Sequence, residues 1–119
     1  MITPSSTLRS ALNLFIDKYK IEILFQLFKK DMGFSELKNE IENINQQILS
    51  KQLKQLLKDE LVSQKKDKGT KTRTAYSITD FGRTLKPIIN SIIKWEEANS
   101  KIINKIRKRN NRDSLYNYY

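Results

Sequence analysis

Between residues 34 and 62 the apolar positions recur at helical spacing in two short runs, separated by a polar turn. Leu37 and Ile41, four apart, share one face of a first helix expected over residues 35–41. Ser35 is its expected cap, and Glu36 stands in the first turn, where the helix dipole favours a negative charge. Asn43, Ile44 and Asn45 form the turn, with Asn45 as N-cap of a second helix and Ile44 closing on Leu49 as a hydrophobic staple. In that second helix Ile48, Leu49, Leu53, Leu56 and Leu57 make an inner face, and Gln47, Lys51, Lys54 and Lys58 fall opposite. The pattern predicts a helix-turn-helix.

The same periodicity organises the flanks. Pro4 precedes the candidate caps Ser5, Ser6 and Thr7, and Leu8, Leu12, Phe15, Ile16 and Tyr19 then line a first helix over about residues 5–19. A second helix carries Ile21, Ile23, Leu24, Leu27 and Phe28 and stops before Asp31-Met32-Gly33, a turn signal. Beyond the helix-turn-helix, Leu61 to Gln64 begins a strand and Thr74 to Ile78 returns it, with the polar loop of residues 65–73 between them. Thr79 and Asp80 then cap a long helix over about residues 80–106, bearing Phe81, Leu85, Ile88, Ile89, Ile92, Ile93, Trp95, Ile102, Ile103 and Ile106. Pro87 lies within it and is expected to bend it near its start. Residues 107–119 read as a basic tail that begins as helix and frays.

Charge sharpens this picture. The 119 residues carry a formal net charge of +10, and +9 of it lies from Ser63 onward. An anionic partner is implied. With no cysteine and no histidine, thiol and imidazole nucleophiles, Cys/His metal sites and disulfides are excluded. The carboxylates are scattered singly among lysines, so the sequence reads as a non-enzyme without cofactor or metal. No apolar run approaches a membrane span and no signal-peptide pattern opens the chain, so the expected location is cytoplasmic.

The outer face of the second helix of the pair holds Gln46, Gln47, Ser50, Lys51 and Lys54, and no acid occurs on it before Asp59. Such a face suits a major groove, because Gln pairs bidentately with adenine, Ser and Lys reach base edges or phosphates, and a carboxylate would be repelled. The loop that follows supplies Lys65, Lys66, Lys68, Lys71 and Arg73 against one acid, as a wing lying along the DNA backbone would. The long apolar faces of the first and last helices exceed what a domain of this size covers, and Leu8, Leu12, Phe15, Ile92 and Trp95 are expected at an interface with a second subunit.

In this order and spacing, Ile23-Leu24 with Leu27, Phe34-Ser35-Glu36-Leu37, Ile44 with Gln46, Leu49 and Gln52-Leu53, and Leu56 with Asp59 and Leu61-Val62 make a recognisable series. Arg73, Tyr76-Ser77-Ile78-Thr79, Gly82, Leu85, Pro87 and Trp95 continue it. The chain resembles the HxlR-type regulators, which are MarR-like winged-helix transcription factors. That resemblance implies a homodimer built by the terminal helices, a two-fold symmetric operator, repression, and contact of Arg73 with the DNA backbone. Three positions depart from the family: Ser6 stands where many members carry a sensing cysteine, Tyr19 where Trp is usual, and Glu60 where Gly is usual. A left-handed backbone at Glu60 would cost more than at glycine.

The fold expected is mainly α with a small β-hairpin wing, a single winged helix-turn-helix domain over residues 1–119 that dimerises through its N- and C-terminal helices. The function expected is a sequence-specific regulator that binds double-stranded DNA. It is read as a repressor on a palindromic operator, without cysteine-based sensing and with no effector identified. The alternatives left open are a sequence-tolerant partition or architectural protein on the same fold, and an adaptor whose basic surface binds an acidic protein.

Overall fold

The computed structural model describes residues 4–66 and 74–117. Its elements in order are α1 (Pro4–Phe15), α2 (Lys18–Lys29), β1 (Met32–Gly33), α3 (Phe34–Glu40), α4 (Gln46–Lys58), β2 (Val62–Lys66), β3 (Thr74–Ile78), α5 (Asp80–Arg83), α6 (Lys86–Ala98) and α7 (Ser100–Asn117). They fall into two compact units, one ending at Lys86 and the other starting at Pro87. Among the described residues no helix is long and apolar enough to cross a membrane.

In the first unit the predicted helical faces become a core. Ile23, Leu24 and Leu27 of α2, Leu37 of α3 and Leu49, Leu53 and Leu56 of α4 are all buried, together with Leu61, Val62 and Ile78 at the root of the hairpin. Ile48 and Leu57, at the margins of the α4 apolar stripe, are only half-buried. The strands form an antiparallel sheet in the order β1-β3-β2, with Val62 opposite Ile78 and Lys66 opposite Thr74. A helix-turn-helix followed by a sheet hairpin is a winged helix, mainly α as the sequence implies.

Several boundaries differ from the sequence expectation, each for a local reason. The first helix ends at Phe15 rather than near Tyr19, because the Asp17 carboxylate accepts from the amides of Tyr19 (2.9 Å) and Lys20 (3.3 Å) and starts α2 there. Since α1 already begins at Pro4, Ser5, Ser6 and Thr7 lie inside it and do not cap it. The turn expected at Asp31-Met32-Gly33 contains β1, which pairs Met32 with Tyr76 and Gly33 with Ala75. Two residues with one buried side chain leave no period to read. Ser35 is not the cap of α3: Gly33 holds that position, and the Glu36 carboxylate lies 3.5 Å from its amide.

The long helix expected over residues 80–106 is three helices. Thr79 caps α5 as anticipated, accepting from the Gly82 amide at 2.9 Å, but α5 is only four residues long. Pro87 does not bend a helix from within; it is the second residue of α6, where its missing N–H leaves no intrahelical bond unmade. A second break falls at Asn99, whose side-chain amide donates to the Trp95 carbonyl at 2.8 Å.

The second unit, with α6 and α7, is apolar on the outside. Ile89 is buried, while Ile88, Ile92, Trp95, Ile102 and Ile106 are exposed, Trp95 at 63%. An ion pair joins its two helices, Arg107 to Glu96 at 3.4 Å.

Candidate nucleic-acid interface

The helix-turn-helix is built by short-range chemistry. Asn45 caps α4 by accepting from the Ile48 amide at 2.8 Å, and Ile44 beside it is buried along with Leu49, as a staple requires. Asn43 has φ 63°, a left-handed conformation that asparagine tolerates better than most residues. The Tyr19 hydroxyl lies 3.4 Å from the Asn43 carbonyl, so α2 braces the turn from behind.

With its apolar stripe held inward by Leu49, Leu53 and Leu56, α4 turns its polar face outward. Gln46, Gln47, Lys51 and Lys54 are exposed and Ser50 is half-exposed. These five, with Gln55, line one shallow open depression along the helix. Gln55 was not among the residues anticipated from sequence, although it lies one helical turn beyond Lys51 and two beyond Gln47. Its side-chain amide donates to Asp59 at 3.1 Å, which engages the first carboxylate of this face at the far end of the helix.

The end of α4 leads directly into the wing. Glu60 adopts φ 61°, the left-handed position that the family resemblance assigns to glycine. Thr79 ties this junction together: its hydroxyl lies 2.7 Å from the Glu60 carbonyl and 3.1 Å from that of Leu61, and its amide donates to Leu61 at 3.1 Å. Gly82 must be glycine here, because a Cβ would run into the Leu61 carbonyl and stand 2.8 Å from Ile78 Cδ1. The wing root is therefore pinned to the end of α4 by backbone contacts that leave no room for a side chain.

Of the expected wing cations, Lys65 and Lys66 are exposed at the end of β2, which runs two residues further than the sequence pattern suggests. Lys68, Lys71 and Arg73 lie outside the described residues. The residues expected at a subunit interface divide. Leu8 and Trp95 are well exposed, Ile92 is 36% exposed and Leu12 is half-buried. Phe15 is 6% exposed and so turned into its own chain, while its neighbour Ile16 is 50% exposed. The helical period alone could not separate these two adjacent residues at the end of α1.

The geometry of the helix pair and wing has close counterparts. The uncharacterized HTH-type transcriptional regulator YdzF of Bacillus subtilis (strain 168) is 38% identical over 88 residues, 73% of this chain and 81% of that protein. YvaP of the same organism, also an uncharacterized HTH-type transcriptional regulator, is 37% identical over 61% of this chain and 68% of its own length. Among solved structures, the redox regulator HypR in its reduced form superposes with a TM-score of 0.77 at 27% identity, covering 84% of this chain and 99% of that one. The reduced form of the transcriptional regulator YodB from B. subtilis gives a TM-score of 0.69 at 25% identity, over 82% of this chain and 93% of its own. A sequence model of the HxlR-like helix-turn-helix matches residues 14–104. The departures at Ser6, Tyr19 and Glu60 notwithstanding, the chain belongs to the HxlR-like helix-turn-helix family of DNA-binding transcriptional regulators.

Proposed function

We propose that this protein is a cytoplasmic repressor that binds a palindromic DNA operator as a homodimer. The observation that carries the reading is the outer face of α4, where Gln46, Gln47, Ser50, Lys51 and Lys54 line one open surface with no unengaged carboxylate among them. Gln47 and Lys51 read base edges in the major groove, and Lys65, Lys66, Lys68, Lys71 and Arg73 of the wing take phosphates. Dimerisation follows from exposed apolar surface, with Leu8 and Ile16 in the first unit and Ile92 and Trp95 in the second, and a second copy is the partner that covers them. Two recognition helices set about 34 Å apart then contact one face of a two-fold site.

The test begins with selection of bound sequences from a random duplex pool. Gln47→Ala and Lys51→Ala should each weaken binding to the selected operator by about 1 to 3 kcal/mol and leave random duplex nearly unaffected. Equal losses on both DNAs would remove these residues as readers.

Regulation here proceeds without thiol chemistry. HypR is by name a redox regulator, but this chain has no cysteine. Diamide should leave operator affinity unchanged in a filter-binding assay, and a loss of binding reversed by dithiothreitol would contradict the reading.

A further inference from the structure

The family match ends at residue 104, inside α7, yet that helix continues to Asn117. Between Glu97 and Asp113 the chain has six basic residues and no acid. Lys101, Lys105 and Lys108, spaced by four and then three, fall on one face of α7, and all three are exposed. Arg112 extends the same spacing in the sequence. Arg107 points elsewhere and pairs with Glu96. Among the described residues no carboxylate comes within ion-pairing distance of Lys101, Lys105 or Lys108. Like charges at this spacing repel and weaken a helix on their own, so the row is unrelieved until an anion meets it.

We propose that this row is a second DNA contact, running along the phosphates that flank the site read by α4; it rests on the DNA-binding reading above. From Lys101 to Lys108 the helix advances about 10 Å, at roughly 1.5 Å per residue. That is about three phosphates along one strand, whose axial spacing is roughly 3.4 Å. A lipid surface fits less well. An interfacial helix needs an apolar face as long as its basic one, and here the isoleucines stop at Ile106 with no apolar residue from Arg107 to Ser114.

The experiment compares the full chain with the Lys101→Gln/Lys105→Gln/Lys108→Gln variant on the selected operator, with and without flanking duplex, between 50 and 200 mM salt. Glutamine keeps helix propensity, so circular dichroism should be unchanged. On the flanked operator the slope of log K against log salt should fall by about 2 to 3, near 0.9 per lost contact, while the ratio of operator to random affinity holds. An unchanged slope with intact operator binding would overturn this contact and leave the DNA-binding reading standing. Failure of the unmodified chain to bind any duplex would overturn both. Binding to phosphatidylserine vesicles that the variant loses, with its DNA slope unaltered, would assign the row to a membrane and overturn the proposal.

Discussion

The two units of this protein treat the same kind of sequence in opposite ways. Up to Lys86, the regularly spaced leucines and isoleucines of α2, α3 and α4 are buried within their own unit, whereas from Pro87 onward an equally regular series leaves Ile88, Ile92, Trp95, Ile102 and Ile106 exposed. Helical period therefore reports that a face is apolar and says nothing about which chain covers it. What closes the first unit is its variety of elements: three helices and a sheet surround Leu49, Leu53 and Leu56. The second has only two helices.

Mutations on the two sides should separate these roles. The largest effect is expected from Leu53→Ala, whose side chain is 2% exposed; losing it should cost about 2 to 5 kcal/mol of folding stability, measured by urea unfolding. A cost below 1 kcal/mol would mean that the first unit is looser than its burial implies.

Ile92→Asp with Trp95→Asp should act on assembly instead. Each side chain buried between subunits contributes roughly 1.5 to 3 kcal/mol, so the pair should convert a dimer to monomers in analytical ultracentrifugation. Operator binding should fall with it while the circular dichroism of the helix-turn-helix survives. A monomeric unmodified protein at micromolar concentration would sink the interface outright.

The smallest effect is expected at the junction of α4 and the wing. Glu60 holds φ 61° where a residue with a Cβ is strained, so Glu60→Gly should stabilise the protein by about 1 kcal/mol despite the added freedom of the unfolded chain. A loss of stability there would show that Glu60 contributes a contact outweighing its backbone strain. The side-chain freedom gained by glycine works against the effect, which is why it ranks last.

Much of the first unit was legible in the residues alone because its determinants are short-range. Asn45 three residues before the amide it caps, Ile44 beside Leu49, and glutamines and lysines opposite a leucine stripe are all set by helix geometry within a few positions. The outer face of α4 followed from the same period, apart from Gln55. Likewise, the left-handed turn at Glu60 was foreshadowed by the glycine usual at that place. Long-range partners decided the rest. Strand β1 is two residues long and exists because β3 lies beside it, and Gly82 is needed only because folding brings the Leu61 carbonyl against it. The break after Arg83 and the placing of Pro87 at the start of α6 were hidden by an apolar period that runs on through both. Phe15 and Ile16 are adjacent and both apolar, and only packing in three dimensions turns one inward and leaves the other to face solvent.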